Sequence, residues 1–252
     1  MEQTTIRQLS SLNQRFYNDQ ATTWSASRQY FWPSWETFRK QSSLTHFPDI
    51  SVLDLGCGTG RFARFVQQHW TQAHYLGMDN STALLEQASS QPSELPEEKY
   101  VNKDLVAQLL DHQSLIDKKY DLITAFGVLH HLPSQQLRRQ FLLEIADRMN
   151  PNGECWLTLW LPEQLGYKKP QEKPWPEISE QLGIDPQDRE PGDVLLGWKD
   201  SEAVRYVHWL QAVEQTDLQT QGGLTIVEQW PEMSQGERGN LCWLLRHQAA
   251  PL

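Results

Sequence analysis

The sequence predicts a doubly wound α/β fold: a mostly parallel sheet of seven strands with helices on both faces. Three observations predict it. Short apolar runs alternate with stretches of helical spacing from residue 51 to residue 160, the pattern of strand–helix–strand units in a parallel sheet. The first unit turns through VLDLGCGTGRFARFV, with glycines at 56, 58 and 60. Two later apolar runs, LTIVEQW (224–230) and LCWLLRH (241–247), read as closing strands joined by the SQGERGN turn.

SVLDLG (51–56) is a strand, and the helix after it places Phe62, Phe65, Val66 and His69 on one side. AHYLGMD (73–79) is a second strand, followed by the helix STALLEQASS with Asn80 and Ser81 as cap candidates. KYVNKD (99–104) is a third strand before the short helix LVAQLLDHQ, and YDLITAFGVL (120–129) is a fourth. In SQQLRRQFLLEIADRMN (134–150), Leu137, Phe141, Leu142 and Ile145 recur at helical spacing. NPNG then supplies a turn before the fifth strand, ECWLTLWLP. From about 163 to 200 proline and charge replace any period, which predicts an insertion over the carboxyl edge of the sheet. SEAVRYVHWLQAVEQ (201–215) returns to helical spacing. The first fifty residues, around FWPSWETFRK, are expected to form a helical cap, leaving 51–252 as the α/β domain that carries the insertion.

At 252 residues the chain suffices for one large α/β domain. No secretory apolar run opens it and no membrane-length apolar stretch occurs, so a soluble, cytoplasmic protein is expected. Cys57, Cys155 and Cys242 are odd in number and widely spaced, which fits neither a disulfide framework nor a zinc site. The net charge of −10 tells against a protein that grips nucleic acid through a broad basic face. Arg138-Arg139, Lys168-Lys169 and Lys173 read as a solvated face. Many of the eleven tryptophans, among them Trp24, Trp32, Trp160, Trp198 and Trp209, lie outside the periodic segments and read as packing of a lid or insertion.

Glycine tolerates positive φ and lets backbone N–H groups approach a ligand, and a helix N-terminus after the turn favours an anionic group. The ligand class follows from spacing. Dinucleotide sites prefer G-x-G-x-x-G, whereas this chain has G-x-G-x-G with Asp54 two positions upstream, which favours S-adenosylmethionine. Asp79 ends the second strand, where a carboxylate accepts ribose hydroxyls. Asp104 ends the third and is placed to meet an adenine amino group, with Leu105 offering a backbone N–H. Phe126, His130 and His131 stand at the end of the fourth strand. Either histidine fits a base, a substrate hydrogen-bond donor or a packed core residue. Adjacent on one turn, they point apart and lack a carboxylate cluster, so no metal site is expected.

Over residues 50–162 the chain resembles the class I S-adenosylmethionine-dependent methyltransferases, through DLGCGTG, GMDNS, DLITAFGVLHHLP and the P-N-G turn in that order. The resemblance implies a Rossmann-like domain and cofactor contacts from Asp54, Gly56, Gly58, Asp79 and Asp104; Gly60, Asn80, Leu105 and Phe126 complete the expected set.

A narrower resemblance rests on FYNDQATTWSASRQYFWPSWETF, on GVLHHLPSQQLRRQFLLEIADRMNPNGECWLTLWLPEQ and on GDVLLGWKDSEAVRYVHW. These segments look like the tRNA methyltransferases that esterify 5-carboxymethyluridine at the wobble position. That resemblance implies substrate or catalytic roles for Tyr17, Arg28, His130 or His131, Trp160 to Gln164, Arg205 and Tyr206. It also implies tRNA as partner and, as in eukaryotic members, a small zinc-binding activator subunit. A carboxylate acceptor is anionic at neutral pH and needs a clamp of donors, suited to Arg28 and a histidine, more than a base. The acidic balance favours another reading, a methyltransferase for a small carboxylic acid or amine under a tryptophan-rich lid. A third is a module that binds the cofactor without turnover.

Overall fold

A computed structural model describes residues 1–161, 164–165, 171–198, 201–221, 223–232 and 239–248. Helix α1 (Gln3–Asp19) buries Ile6, Leu9, Asn13 and Phe16, a three-to-four-residue stripe, and is followed by α2 (Ala21–Ala26) and α3 (Pro33–Gln41). Then β1 (Ser51–Leu55) leads to α4 (Arg61–His69), β2 (His74–Asp79) to α5 (Thr82–Ser89), and β3 (Glu97–Asn102) to α6 (Leu105–Leu110). β4 (Tyr120–Ala125) runs through a single 3-10 turn, Leu129–His131, to α7 (Gln135–Arg148) and β5 (Met149–Trp160). Short polar side chains start these helices: Ser81, Asp104 and Ser134 accept from the backbone N–H groups of Leu84, Ala107 and Leu137.

The next segment contains β6 (Glu172–Lys173), α8 (Trp175–Leu182), β7 (Asp193–Gly197), β8 (Val204–His208) and α9 (Ala212–Gln221), before β9 (Leu224–Pro231) and β10 (Asn240–His247). Among the described residues, seven strands form one sheet in the order β3-β2-β1-β4-β5-β10-β9. Only β10 runs against its neighbours β5 and β9; the other pairs are parallel. The connections turn outward in opposite directions from β1 and β4, which creates a crevice beyond their carboxyl ends.

The central strands are buried on both faces, which is why their sequences are nearly continuous apolar runs. Leu53, Ile123 and Leu157 pack with Phe141 and Ile145 of α7 on one side. Val52, Leu122 and Trp156 pack with Phe38, Phe62 and Val66 on the other. The buried carboxylate of Glu154 anchors the end of the N-terminal helical region to the sheet. It accepts from Ser42 Oγ at 2.7 Å, Ser43 N at 2.9 Å and Arg246 at 2.7 Å. Phe38 stacks on Trp156 with ring centroids 5.1 Å apart.

Four expectations need correction. Arg138 belongs to no solvated face: it is fully buried, its Nε donating to Glu214 at 2.5 Å and its Nη2 to Glu190 at 2.8 Å. β5 begins at Met149: Tyr120 pairs with Met149 and Leu122 with Glu154, so NPNG is an irregularity within the strand and not a turn ahead of it. The loop folds so tightly that a Cβ on Gly153 would stand 3.0 Å from the carbonyl oxygens of Asn150 and Tyr120. Residues 201–215 are not one helix, because Val204–His208 pairs antiparallel with Asp193–Gly197. The patternless stretch before them carries β6, α8 and β7, and β6-β7-β8 form a second sheet held on α1 by Leu9, Leu195 and Tyr206. Glu163, Lys168, Lys169 and most of the SQGERGN turn lie outside the described residues. No helix among the described residues is long and apolar enough to cross a membrane.

Candidate active site

The three glycines of the β1–α4 turn all adopt positive φ, +71°, +55° and +66° for Gly56, Gly58 and Gly60, a region costly for residues with a Cβ. Their surroundings differ. A Cβ on Gly56 would collide with Val128 and one on Gly60 with the Tyr100 hydroxyl, whereas a Cβ on Gly58 meets nothing within 4 Å. Two glycines thus satisfy packing, and Gly58 leaves bare backbone facing a cavity that it lines.

Asp79 at the end of β2 lines the same cavity. Its Oδ2 accepts from Gly58 N and its Oδ1 from Ser81 N, both at 2.9 Å. Burial raises its pKa against these two bonds, and each oxygen keeps capacity for a hydroxyl donor. Asp54 lies beneath the turn and does not line the cavity. It is 2% exposed and accepts from Tyr75 OH at 2.5 Å and Thr124 Oγ1 at 2.7 Å, and burial pushes its pKa up to about 6. Gly60 is likewise absent from the lining, while Asn80, Asp104, Leu105 and Phe126 belong to it. Asp104 spends Oδ1 on the α6 cap, which leaves Oδ2 as an acceptor.

The cavity holds about 700 Å³ and continues to Tyr17, Arg28, His130, His131, Trp160 and Arg205. His131 Nδ1 stands 3.0 Å from the carbonyl oxygen of Tyr206. Asn13 Nδ2 lies farther from Nδ1, at 3.3 Å; the shorter contact is to a carbonyl, which only accepts, so the proton is assigned to Nδ1 and Nε2 accepts from Tyr17 OH at 2.7 Å. Asn13 fixes the backbone behind this pair, donating Nδ2 to Tyr206 O at 3.1 Å and accepting from Tyr206 N at 2.7 Å. Burial, helped by Arg205, pushes the His131 pKa down to about 3. His130 is 6% exposed, its Nδ1 has no hydrogen-bond partner, and burial with the neighbouring His131 and Arg205 holds it well below the usual range. Both imidazoles are therefore neutral at physiological pH and serve as hydrogen-bonding groups.

Arg205 is also 6% exposed. Its guanidinium stands 4.9 Å from the Trp24 ring, 5.3 Å from Phe16, and 5.6 Å from both Trp160 and Trp198. Its Nε has no partner, and Nη1 lies 3.5 Å from Tyr17 OH. Among the described residues no carboxylate forms an ion pair with it. A second guanidinium, that of Arg28, lies 3.3 Å over the Trp24 ring.

Tyr206 does not reach this cavity. On β8 successive side chains face opposite ways, so Arg205 lines the cavity while Tyr206 is fully buried behind it, donating to Asp193 Oδ1 at 2.7 Å. Gln164 donates to Leu210 O and does not line the cavity. The sequence reading missed Asn13 and Asn240; Trp198, expected in a lid or insertion, also lines the cavity. Asn13 was findable, since it sits one helical turn before Tyr17 on the buried stripe; Asn240 carried no local signal.

Residues 53–155 match the family model described as a methyltransferase domain. A probable tRNA methyltransferase 9B of Bos taurus is 27% identical over 150 residues, 59% of this chain and 29% of its own length. The tRNA (carboxymethyluridine(34)-5-O)-methyltransferase of Arabidopsis thaliana is 27% identical over 151 residues, 60% of this chain and 33% of its own. A trans-aconitate 2-methyltransferase of Deinococcus radiodurans is 28% identical over 113 residues, 45% and 39% of the two chains. The chain thus spans about a third of the length of the curated tRNA methyltransferases it matches. Its fold is that of the DhpI–SAH complex, with a TM-score of 0.64 at 16% identity over 96% of this chain and 98% of that one. The residues present fit the cofactor: Asp79 for a ribose diol, Asp104 for an amino group, and unobstructed backbone at Gly58. Residues 53–155 thus match a methyltransferase domain, the chain has the fold of the class I S-adenosylmethionine-dependent methyltransferases with a site that fits S-adenosylmethionine, and it resembles the tRNA methyltransferases.

Proposed function

We propose that the protein O-methylates the carboxylate of a 5-carboxymethyluridine-type wobble nucleoside in tRNA. One observation carries this reading: Arg205 is buried among aromatic rings without a carboxylate partner among the described residues, in the same cavity as Gly58 and Asp79. Burying an uncompensated cation is costly, and an anionic ligand with a flat ring suits both the guanidinium and the walls around it. The relatives named for tRNA and for carboxymethyluridine agree with that chemistry.

In this reading Gly56, Gly58, Asp79, Asn80, Asp104, Leu105 and Phe126 hold the cofactor, with Asp54 and Gly60 supporting the turn from below. When bound, S-adenosylmethionine supplies an electrophilic methyl group. Arg205 and Arg28 orient the acceptor carboxylate, and Tyr17, whose proton goes to neutral His131, accepts from Arg205 Nη1 at 3.5 Å and so steadies that guanidinium. An ionised carboxylate would take that methyl, leaving S-adenosylhomocysteine, without giving up a proton, so the low basicity of both histidines is no obstacle. The neutral ester no longer pairs with the guanidinium groups, which favours its release. Trp24 and Trp32 of the cap, residues 1–50, and Lys173 and Trp198 of the insertion contribute walls around the acceptor.

A second reading, transfer to a small carboxylic acid, is favoured by the net charge of −10 and by the trans-aconitate relative. Incubation with methyl-labelled S-adenosylmethionine, offering undermodified total tRNA and a small-metabolite extract separately, distinguishes the two. Label entering tRNA and released as methanol by mild alkali is the expected result. Label confined to the small-molecule fraction overturns the tRNA reading.

A further inference from the structure

Asn240, the first residue of β10, is paired across the sheet with Trp160, is 4% exposed and lines the cavity. Its Nδ2 donates to Glu232 Oε2 at 2.6 Å. Glu232, just beyond β9, is 2% exposed, and its other oxygen accepts from Ser34 Oγ of α3 at 2.8 Å. A carboxylate offers only acceptor oxygens, so the amide has one orientation: NH₂ towards Glu232 and Oδ1 away from it. Among the described residues no donor is bonded to that oxygen, and it is not among the enclosed, unpartnered polar atoms. It therefore opens on the cavity as a fixed acceptor.

The surroundings of this acceptor are specific. The Trp160 ring across the rung from Asn240 lies 5.2 Å from the His130 ring and 5.6 Å from the Arg205 guanidinium. One aromatic surface is thus bordered by a fixed oxygen acceptor, a neutral imidazole and a cation. A ring laid against Trp160, with its carboxylate arm on Arg205, would turn an edge towards Asn240, its partner across the sheet. That edge must donate. A small polycarboxylic acid would oppose another oxygen to Oδ1, whereas a heterocyclic imide supplies an N–H.

We infer that Asn240 is a specificity-determining residue that accepts a hydrogen bond from the ring N–H of the methyl acceptor, with Glu232 as the positioning residue that holds its amide in register. The inference rests on the uridine-carboxylate reading and narrows it to bases with an unsubstituted imide N–H.

The test compares two anticodon stem-loops, one carrying 5-carboxymethyluridine and one carrying its N3-methyl derivative, as substrates for the wild type, Asn240→Leu and Glu232→Gln. Wild type should favour the N3–H substrate in kcat/KM by at least about tenfold. Asn240→Leu keeps the volume and any steric exclusion but removes the acceptor, and Glu232→Gln lets the amide of Asn240 turn over. Both variants should shrink the preference to within about twofold while keeping wild-type affinity for S-adenosylhomocysteine by calorimetry. Equal use of the two substrates by wild type overturns the inference even if the variants fail to fold, as does a preference that survives in both folded variants. Ester formation on neither stem-loop, with transfer to a small carboxylic acid instead, overturns the uridine reading and this inference with it.

Discussion

Tyr17 on α1 donates its hydroxyl to Nε2 of His131 at 2.7 Å, joining the N-terminal helix to the turn after β4. The bond fixes the phenol oxygen beside Arg205 and defines the imidazole tautomer through the carbonyl of Tyr206. Tyr17→Phe leaves Nε2 as a buried acceptor without its donor and removes the oxygen that steadies Arg205 in the proposed clamp. Transfer should fall by about one to two orders of magnitude, with S-adenosylmethionine affinity by calorimetry held near wild type. A parallel loss of cofactor affinity would place Tyr17 in the cofactor site.

The depressed pKa of His131 makes stability depend on pH with a definite sign. In the unfolded chain a histidine titrates near ~6.5, but burial and Arg205 hold His131 down at about 3 in the fold. Above the unfolded value both states are neutral and the contribution is complete. As pH falls towards 3 the unfolded state binds a proton that the native state does not, and stability is lost by up to about 1.4 kcal/mol per pH unit. His130 acts in the same direction. His208 opposes them: burial lowers its pKa, but Asp193 and Glu214 outweigh that and raise it, so its contribution is complete at low pH and fades as pH rises through the raised value. His131→Gln should flatten the decline in urea-derived stability between pH 6.5 and 5; an unchanged slope would show that His131 is not the group responsible.

The glycines separate folding from binding. Gly60→Ala drives a Cβ into the Tyr100 hydroxyl at positive φ and should cost about 2–4 kcal/mol of stability. Gly58→Ala meets no protein atom, so it should cost only the backbone penalty of about 1–2 kcal/mol yet weaken S-adenosylmethionine binding more than Gly60→Ala does in its folded fraction. Calorimetry beside urea titration reads both quantities; equal effects on binding would mean that the Gly58 backbone does not face the cofactor.

Asp79 accepts from Gly58 N and Ser81 N at the place proposed for the ribose. Asp79→Ala removes the acceptor of two backbone donors and of the diol together, and should weaken S-adenosylmethionine by at least about a hundredfold. Unchanged affinity would refute the assignment.

The alternation from β1 to β5 was readable because each strand is an apolar run buried on both faces and each helix carries a stripe at its own period. The same double burial hid β8. Val204 and Val207 stand three apart, as on a helix, and pairing with Asp193–Gly197 decides the matter from a distance in sequence. Tyr206 was misplaced for that reason, since a strand turns it away from its neighbour Arg205. The structure brings Gly58, Asp79, Asp104, Tyr17, Arg28, both histidines, Trp160 and Arg205 to one cavity. Their motifs are local or repeat a known order. Asn240 depends on Glu232, which reaches it only through the antiparallel pairing of β9 with β10, and no local pattern records that contact.

Arg205 sets function against stability. A buried guanidinium without a carboxylate among the described residues gains only its aromatic contacts and a long approach to Tyr17 OH, while its desolvation opposes folding. Arg205→Met keeps the apolar stem and removes the charge. If the cation is retained for an anionic acceptor, the variant should unfold at the same or a higher temperature, bind S-adenosylmethionine normally, and lose at least about a hundredfold in kcat/KM for a carboxylate acceptor. Arg205→Lys should recover little, because one ammonium cannot reproduce the planar donor fork. A marked drop in melting temperature would instead make Arg205 a structural residue of the cavity wall and remove the observation on which the carboxylate reading rests.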